Sequence, residues 1–530
     1  MCIKRAFLVF LFGLLVAPAA LAEIADPINV EQGKLSGTAG KNSGVRVYRG
    51  IPFAAPPLGD LRWKPPQPPA AWQGVREAKE FSNACWQTPY PGNSIYQSKM
   101  PPLSEDCLYL NVWTAAKSAK DRLPVMVWIH GGGFTRGSGI SAAYDGENLV
   151  RKGVVLVTIN YRLGVFGFYA HPALTAESAQ HSSGNYALLD QIAALKWVKK
   201  NIAAFGGNPD HVTIFGESAG SWAVNALMAS PLAKGLFRGA IGESGGLFAP
   251  MKSLADAEKA GERLASALNA TQDTLKTLRS KPAEELLKAT DAPTTSAIVD
   301  GWVLPQDVQT IFAEGRQNDV PLLVGNNADE GTTLAPQGAS MTSAAFTNGV
   351  HQRYGAQADQ FLKIYPAASD AEAVTSFYSA YRDQVFGWEM RTWARMAART
   401  GHHRVYVYYF SHRPPGPQSA RLRAFHASEL PYVFGNFVWP FPWDDADHKL
   451  SEIVSTYWVN FAKTGDPNGN GLVKWPVYDA ATDQVLEIGD QIGIRSQVNK
   501  AGLDFFDSYY HSLSASAAPA AAGGGTTTKK

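Results

Sequence analysis

The chain has 530 residues, 45% hydrophobic and 18% charged, the balance of a large globular enzyme and not of a disordered or fibrous protein. Forty-eight basic against 46 acidic side chains leave a net charge of +2 with no long run of either sign, which argues against a nucleic-acid partner.

At the N-terminus, Lys4 and Arg5 precede the apolar stretch Ala6 to Val16, and Ala20-Leu21-Ala22 supplies a small-x-small cleavage pattern before Glu23. At roughly eleven residues the apolar stretch is too short to cross a bilayer as a helix. Residues 1–22 are therefore expected to be a signal peptide, with an uncleaved anchor as the alternative. The mature chain is expected to be exported, to the periplasm or beyond, without an integral membrane segment. Cys2 leaves with that segment, so only Cys85 and Cys107 remain. An oxidising compartment favours their pairing, and closing the loop between them would contribute about 3 kcal/mol on a chain-entropy basis. Two separate buried thiols are the alternative.

Residues 28–53 alternate apolar and polar between glycine turn points, the pattern of a short antiparallel edge. Proline-rich connections follow at 56–57, 65–69 and 101–102. Strand-like runs come next at 125–129, 154–159, 212–215, 322–324 and 405–410. Between the second and third, Leu188, Ile192, Leu195, Val198 and Ile202 recur at helical spacing. Strands alternating with helices predict an α/β protein with a mostly parallel central sheet and helices on both faces. Residues 251–320 and 335–400 have helical composition and are expected to be insertions over the mouth of a site. The Ala-, Gly- and Thr-rich tail, 513–530, has too little apolar surface to pack and is expected to be disordered. A single catalytic domain, 23–512, is the expected organisation.

Gly216-Glu217-Ser218-Ala219-Gly220 follows the apolar run 212–215 and precedes a helical stretch marked by Trp222, Ala223, Ala226 and Leu227. A serine at a sharp strand-to-helix corner needs glycines two residues to either side, because bulk there would strike the flanking strand and helix. Its hydroxyl then stands above the sheet edge, and the next N–H opens a helix whose dipole favours negative charge. G-x-S-x-G alone arises by chance in a glycine-rich chain. The strand before it and the helix after it point to a serine hydrolase.

Such a nucleophile needs oxyanion donors, a base and an orienting acid. The run His130-Gly131-Gly132-Gly133-Phe134 ends a predicted strand, where backbone without side chains can aim N–H groups at a reacting carbonyl. Downstream, Asp329 and Glu330 stand together at the end of another strand, and composition does not choose between them. Seven histidines lie beyond: His351, His402, His403, His412, His426, His448 and His511. Among them His426 is one candidate, in a loop after a strand.

Several longer stretches resemble the type-B carboxylesterases, the α/β-hydrolase family that includes bacterial carboxylesterases and cholinesterases. They are Tyr48 to Ala54, Ser104 to Asn111, Val127 to Phe134, Asn160 to Gly164, Phe205 to Pro209, the serine corner itself, and Phe461 to Asn468. The likeness spans roughly residues 26 to 510 and implies an α/β-hydrolase fold. It places the acid at Glu330, the base at His426, and oxyanion donors at Gly132, Gly133 and Ala219. A second serine bracing acid and base falls at Ser244, and the first disulfide of the family at Cys85–Cys107. Glu243 departs from the glutamine common at that position, which leaves the local charge open.

The implied reaction is hydrolysis of a small-molecule ester through an acyl-enzyme, with no metal or organic cofactor required. Carbamates, thioesters, lactones and amides are alternatives for the same residues. A non-catalytic binding protein on this fold is a further one, opposed by the presence of Ser218, Glu330 and His426. The stretch 94–100, in the loop between the cysteines, carries Tyr96 but no tryptophan, and adds Lys99. That arrangement is expected to disfavour cationic esters such as those of choline.

Overall fold

The computed structural model describes residues 24–92, 94–290 and 296–517. The expected signal peptide and the end of the tail lie outside the described residues.

Eleven strands form the central sheet: β1 (Thr38–Ala39), β2 (Arg46–Pro52), β3 (Tyr109–Thr114), β4 (Leu123–Ile129), β5 (Val155–Ile159), β6 (Gly207–Glu217), β7 (Gly239–Glu243), β8 (Leu322–Asn327), β9 (Val405–Phe410), β10 (Gln484–Ile488) and β11 (Ile492–Ser496). Their spatial order is β11-β10-β9-β8-β7-β6-β4-β5-β3-β2-β1. From β5 through β4 and β6 to β10 every pairing is parallel. Antiparallel pairs close both edges, β3 on β5 and β11 on β10 among them. The predicted N-terminal antiparallel edge is divided. Ile28–Val30 and Gly33–Ser36 pair antiparallel in a separate small sheet, while β2 joins the large one.

Alternate residues of each central strand feed two different cores. On β4, Val125, Val127 and Ile129 pack to one side, Met126 and Trp128 to the other. On β9, Val405, Val407 and Tyr409 face the first core and Tyr406, Tyr408 and Phe410 the second. A sheet apolar on both faces must be covered on both, which is why these strands read as unbroken apolar runs. One cover is helix α1 (Tyr186–Asn201), where the predicted apolar stripe Leu188, Ile192, Leu195 and Val198 is buried. Another, α2 (Ala219–Ala229), follows β6 directly. On the opposite side lies α3 (Asp445–Thr464), held at its start by Asp444 and Asp447 in a capping box, and burying Val454, Tyr457, Trp458 and Phe461.

The region 251–320 and the region 335–400 are largely helical, as expected. Helix α4 (Lys500–Ala517) runs past residue 513, because Leu503, Phe505 and Phe506 anchor it in the core. No helix among the described residues is long and apolar enough to cross a membrane. Cys85 and Cys107 are bonded, with Cα atoms 5.0 Å apart.

A buried ion pair ties the loop after β5 to α1. Arg162 Nε and Nη2 donate to Asp190 Oδ2 and Oδ1 at 2.8 and 2.7 Å, and the Arg162 backbone N–H adds a third bond at 3.0 Å. Both side chains are almost fully excluded from solvent. Removing one partner would leave the other charge buried alone, at a cost of about 3–5 kcal/mol. Asp190→Ala should therefore lower the urea midpoint markedly. Lys199→Gln, in the exposed pair with Asp210, should cost about 1 kcal/mol or less. Equal effects would contradict this ranking.

Candidate active site

Five neighbouring strands deliver five candidate groups from their C-terminal ends: Gly131–Gly133 after β4, Ser218 after β6, Ser244 after β7, Glu330 after β8 and His426 after β9. In a parallel sheet that edge is where loops converge and ligands bind. Residues up to 295 apart in sequence are neighbours only because of the sheet order, from Gly131 to His426.

Ser218 has φ 57° and ψ −124°, a backbone conformation costly for a residue with a side chain, on the order of 1–3 kcal/mol. Two features hold it there. Its N–H donates to Glu243 O at 2.8 Å, and its C=O accepts from Trp222 N at 3.0 Å, so it is tied to β7 on one side and α2 on the other. The flanking glycines meet the strand as the sequence argument requires. A Cβ on Gly220 would stand 2.0 Å from Ile129 O, and one on Gly216 would stand 2.6 Å from the same atom. Ala219 is buried at the N-terminus of α2, with its N–H among the unpaired donors of the first turn. Gly132 and Gly133 have φ of 107° and 64°, in the left-handed region that glycine tolerates.

His426 lies between two acids. Its Nδ1 is 2.6 Å from Glu330 Oε2, and its Nε2 is 2.9 Å from Glu217 Oε1. The ring is 4% exposed and Glu330 is 0% exposed. Glu330 Oε1 accepts from Ser244 Oγ and from Asn327 N, each at 2.7 Å, which fixes the carboxylate. Asp329 turns elsewhere: it accepts from Ala424 N and faces Arg423. Tyr96, from the disulfide loop, donates its hydroxyl to His426 O at 2.8 Å. Of the other histidines, His402 and His403 are exposed, and His412 is held between Asp490 and Asp447 away from this cavity.

Burial alone would push the imidazole pKa down. The charges of Glu217 and Glu330, with the hydrogen bond to Glu330, outweigh it and hold His426 well above its ordinary value. Behind it, burial pushes Glu429 up to about 8, with the charges of Glu217 and Glu330 adding to the effect. Glu243 accepts from Trp458 Nε1 at 2.9 Å and is held well above the carboxylate range by burial and then by Glu429.

Ser218, His426, Glu217 and the Gly131–Gly133 loop line one cavity of about 760 Å³. Its walls come from the disulfide loop, from residues 135–144, and from Tyr381, Val385 and Phe386 of the second helical insertion. The described residues of the region 251–320 contribute no lining residue; its helices accept hydrogen bonds from Arg62 and Tyr169, and Ile298 accepts one from Asn185. Among the described residues no cluster of three or more His, Cys, Asp or Glu is arranged to hold a metal ion.

Residues 25–506 match the carboxylesterase family. The chain belongs to that family. Carboxylesterase relatives include the fumonisin B1 esterase of Sphingopyxis macrogoltabida, 38% identical over 508 residues that cover 91% of this chain and 90% of that one. Para-nitrobenzyl esterase of Bacillus subtilis strain 168 is 36% identical, covering 88% and 96% of the two chains. A solved PNB esterase structure superposes with a TM-score of 0.78 at 34% identity, covering 90% of this chain and 99% of that one. The fold is thus the α/β-hydrolase fold, and the protein is a carboxylic ester hydrolase of type B.

Nothing local in the sequence singles out Glu429 or Asn327, both of which pack against the site. Glu217 was in view only as the variable second residue of the serine motif.

The corner itself is open to test. Gly220→Ala must displace Ile129 O or the serine turn, a strain of about 1–3 kcal/mol. It should lower both the melting temperature and esterase kcat/KM, the latter by tenfold or more. Gly349→Ala, within the helix Ser343–Tyr354 and with open space around it, should stabilise slightly and leave activity alone. A Gly220→Ala enzyme of full activity would contradict the packing described here.

Proposed function

We propose that the protein is an exported serine carboxylesterase that hydrolyses small-molecule esters through an acyl-enzyme on Ser218. The observation that carries this reading is the His426 Nδ1–Glu330 contact of 2.6 Å at the floor of the cavity that Ser218 also lines. Export is supported by the N-terminal pattern of residues 1–22 and by the Cys85–Cys107 bond.

In this mechanism His426 Nε2 takes the proton from Ser218 Oγ as the oxygen attacks the ester carbonyl. Glu330 keeps the proton on Nδ1 and stabilises the imidazolium; Ser244 and Asn327 keep Glu330 in place. The N–H groups of Gly132, Gly133 and Ala219 receive the oxyanion, aided by the N-terminus of α2. The imidazolium then protonates the leaving alkoxide. Water repeats the sequence on the acyl-enzyme, releasing the acid and restoring Ser218. Nε2 is engaged with Glu217 at rest, so the ring must exchange that carboxylate for Ser218 before it acts as a base. Thioesters, carbamates, lactones and amides are open to the same chemistry, but an alcohol leaves more readily than an amine.

Ser218→Ala should lower kcat by on the order of a million-fold with the fold intact. A fluorophosphonate should label the wild type and not the variant. His426→Ala should approach the same loss, and Glu330→Gln should lose far more than Asp329→Asn. Labelling of Ser218→Ala at the wild-type rate, or the reverse ranking of the two acids, would overturn the assignment.

The pH profile is a separate test. A base is inactive while protonated, and two carboxylates raise the pKa of His426, so protonation persists above the ordinary histidine value of 6.5. The acid limb of kcat/KM should therefore lie above 6.5. Glu217→Gln removes one of the two anions and should move that limb to lower pH. A limb that does not move would contradict the pairing of Glu217 with the base.

A further inference from the structure

We infer that Arg136 forms an anion subsite beside the oxyanion loop, selecting esters that carry a carboxylate elsewhere in the molecule. The inference rests on the esterase reading above and names a substrate class for it.

Arg136 begins where the glycine loop ends. Its N–H donates to Gly132 O at 3.1 Å, and its Cγ would stand 3.1 Å from a Cβ placed on Gly132. Its guanidinium lies over the Tyr90 ring, 5.0 Å from the centroid, and it lines the same cavity as Ser218. Stacking on an aromatic face satisfies the flat side of the group and leaves its edge N–H donors available.

Several well-shielded arginines of this chain meet a carboxylate: Arg62 meets Glu105, Arg162 meets Asp190, Arg382 meets Asp383 and Arg391 meets Asp483, whereas the partly exposed Arg49 and Arg76 stack on Phe81 and Trp72 with no ion pair among the described residues. Among the described residues Arg136 meets no carboxylate, though it is only partly exposed. Among the described residues Glu217 is the sole acid lining the cavity, and it is occupied by His426. The second cation of the lining, Lys99, is exposed on the disulfide loop and likewise has no acidic partner. The charge missing from this cavity is therefore negative, and the planar fork of a guanidinium fits a carboxylate with two parallel hydrogen bonds. Trp222, Val438 and Trp439 leave apolar wall for the rest of the ester.

The test uses esters matched in length. The mono-4-nitrophenyl ester of glutaric acid and 4-nitrophenyl pentanoate place the carboxylate or a methyl group on the acyl side. Butyryl esters of 4-hydroxybutanoate and of 1-butanol do the same on the alcohol side. For at least one pair, the anionic-to-neutral ratio of kcat/KM should fall tenfold or more in Arg136→Gln and be largely kept in Arg136→Lys. Salt should shrink it in the wild type, and butyrylcholine should show no advantage over neutral butyrate esters. Calorimetric binding of the glutarate monoester to Ser218→Ala reads the subsite without turnover, and adding Arg136→Gln should weaken that binding by tenfold or more. Turnover by Ser218→Ala would count against the nucleophile and not against Arg136. Ratios unchanged by Arg136→Gln for both pairs, with binding also unchanged, would overturn the subsite.

Discussion

An imidazole buried between two carboxylates is the interaction on which the rest of this site depends. Burying His426, Glu330 and Glu217 together is costly unless each charge meets another. The contacts of 2.6 and 2.9 Å supply that compensation. The second oxygen of Glu330 must also be satisfied, and Ser244 Oγ and Asn327 N do so. These groups sit at the ends of four parallel strands, with Asn327 and Glu330 sharing one of them. The register of β6, β7, β8 and β9 therefore sets the geometry, and a slip of one residue would point each group into the opposite core. The two-sided burial of the sheet, with Val127 and Trp128 on opposite faces, is what forbids that slip.

The same dependence explains what was legible beforehand. The serine corner could be read because its glycines answer a steric demand, and Gly220 indeed has a strand carbonyl where its side chain would be. The strands 125–129 and 405–410 stood out as long apolar runs. By contrast β7, Gly-Ala-Ile-Gly-Glu, carries two glycines and an acid in five residues, and nothing local marks it as a buried strand. Its end holds Glu243 beside Glu217 on the neighbouring strand, a juxtaposition that exists only across the sheet. Asp329 and Glu330 are equivalent in composition; the loop geometry turns one to Arg423 and the other to His426. Glu429 looks like an ordinary surface acid, yet it is fully buried and accepts from the Asn327 side chain on the neighbouring β8.

Specificity arises at a different level from catalytic geometry. The floor of the cavity is built from strand ends whose positions the core dictates. The walls come from the disulfide loop, from the segment after the glycine run, and from residues near 381–386 and 438–439. Those wall residues are not constrained by the sheet, so they can change without disturbing the floor. Tyr96 is the exception, because its hydroxyl holds the His426 carbonyl and so couples the disulfide loop to the floor of the cavity. Arg136 belongs to both levels: its backbone bonds Gly132 while the residue also lines the cavity.

The arrangement makes one demand that can be observed directly on the resting enzyme. With carboxylates on both ring nitrogens, His426 should carry two protons at a pH where an ordinary histidine is half neutral. Nitrogen-15 NMR of enzyme labelled at histidine, with His426→Gln used to assign the resonance, reads that state. The account predicts an imidazolium at pH 6.5 that loses its proton only at higher pH. A neutral, singly protonated His426 at pH 6.5 would contradict it.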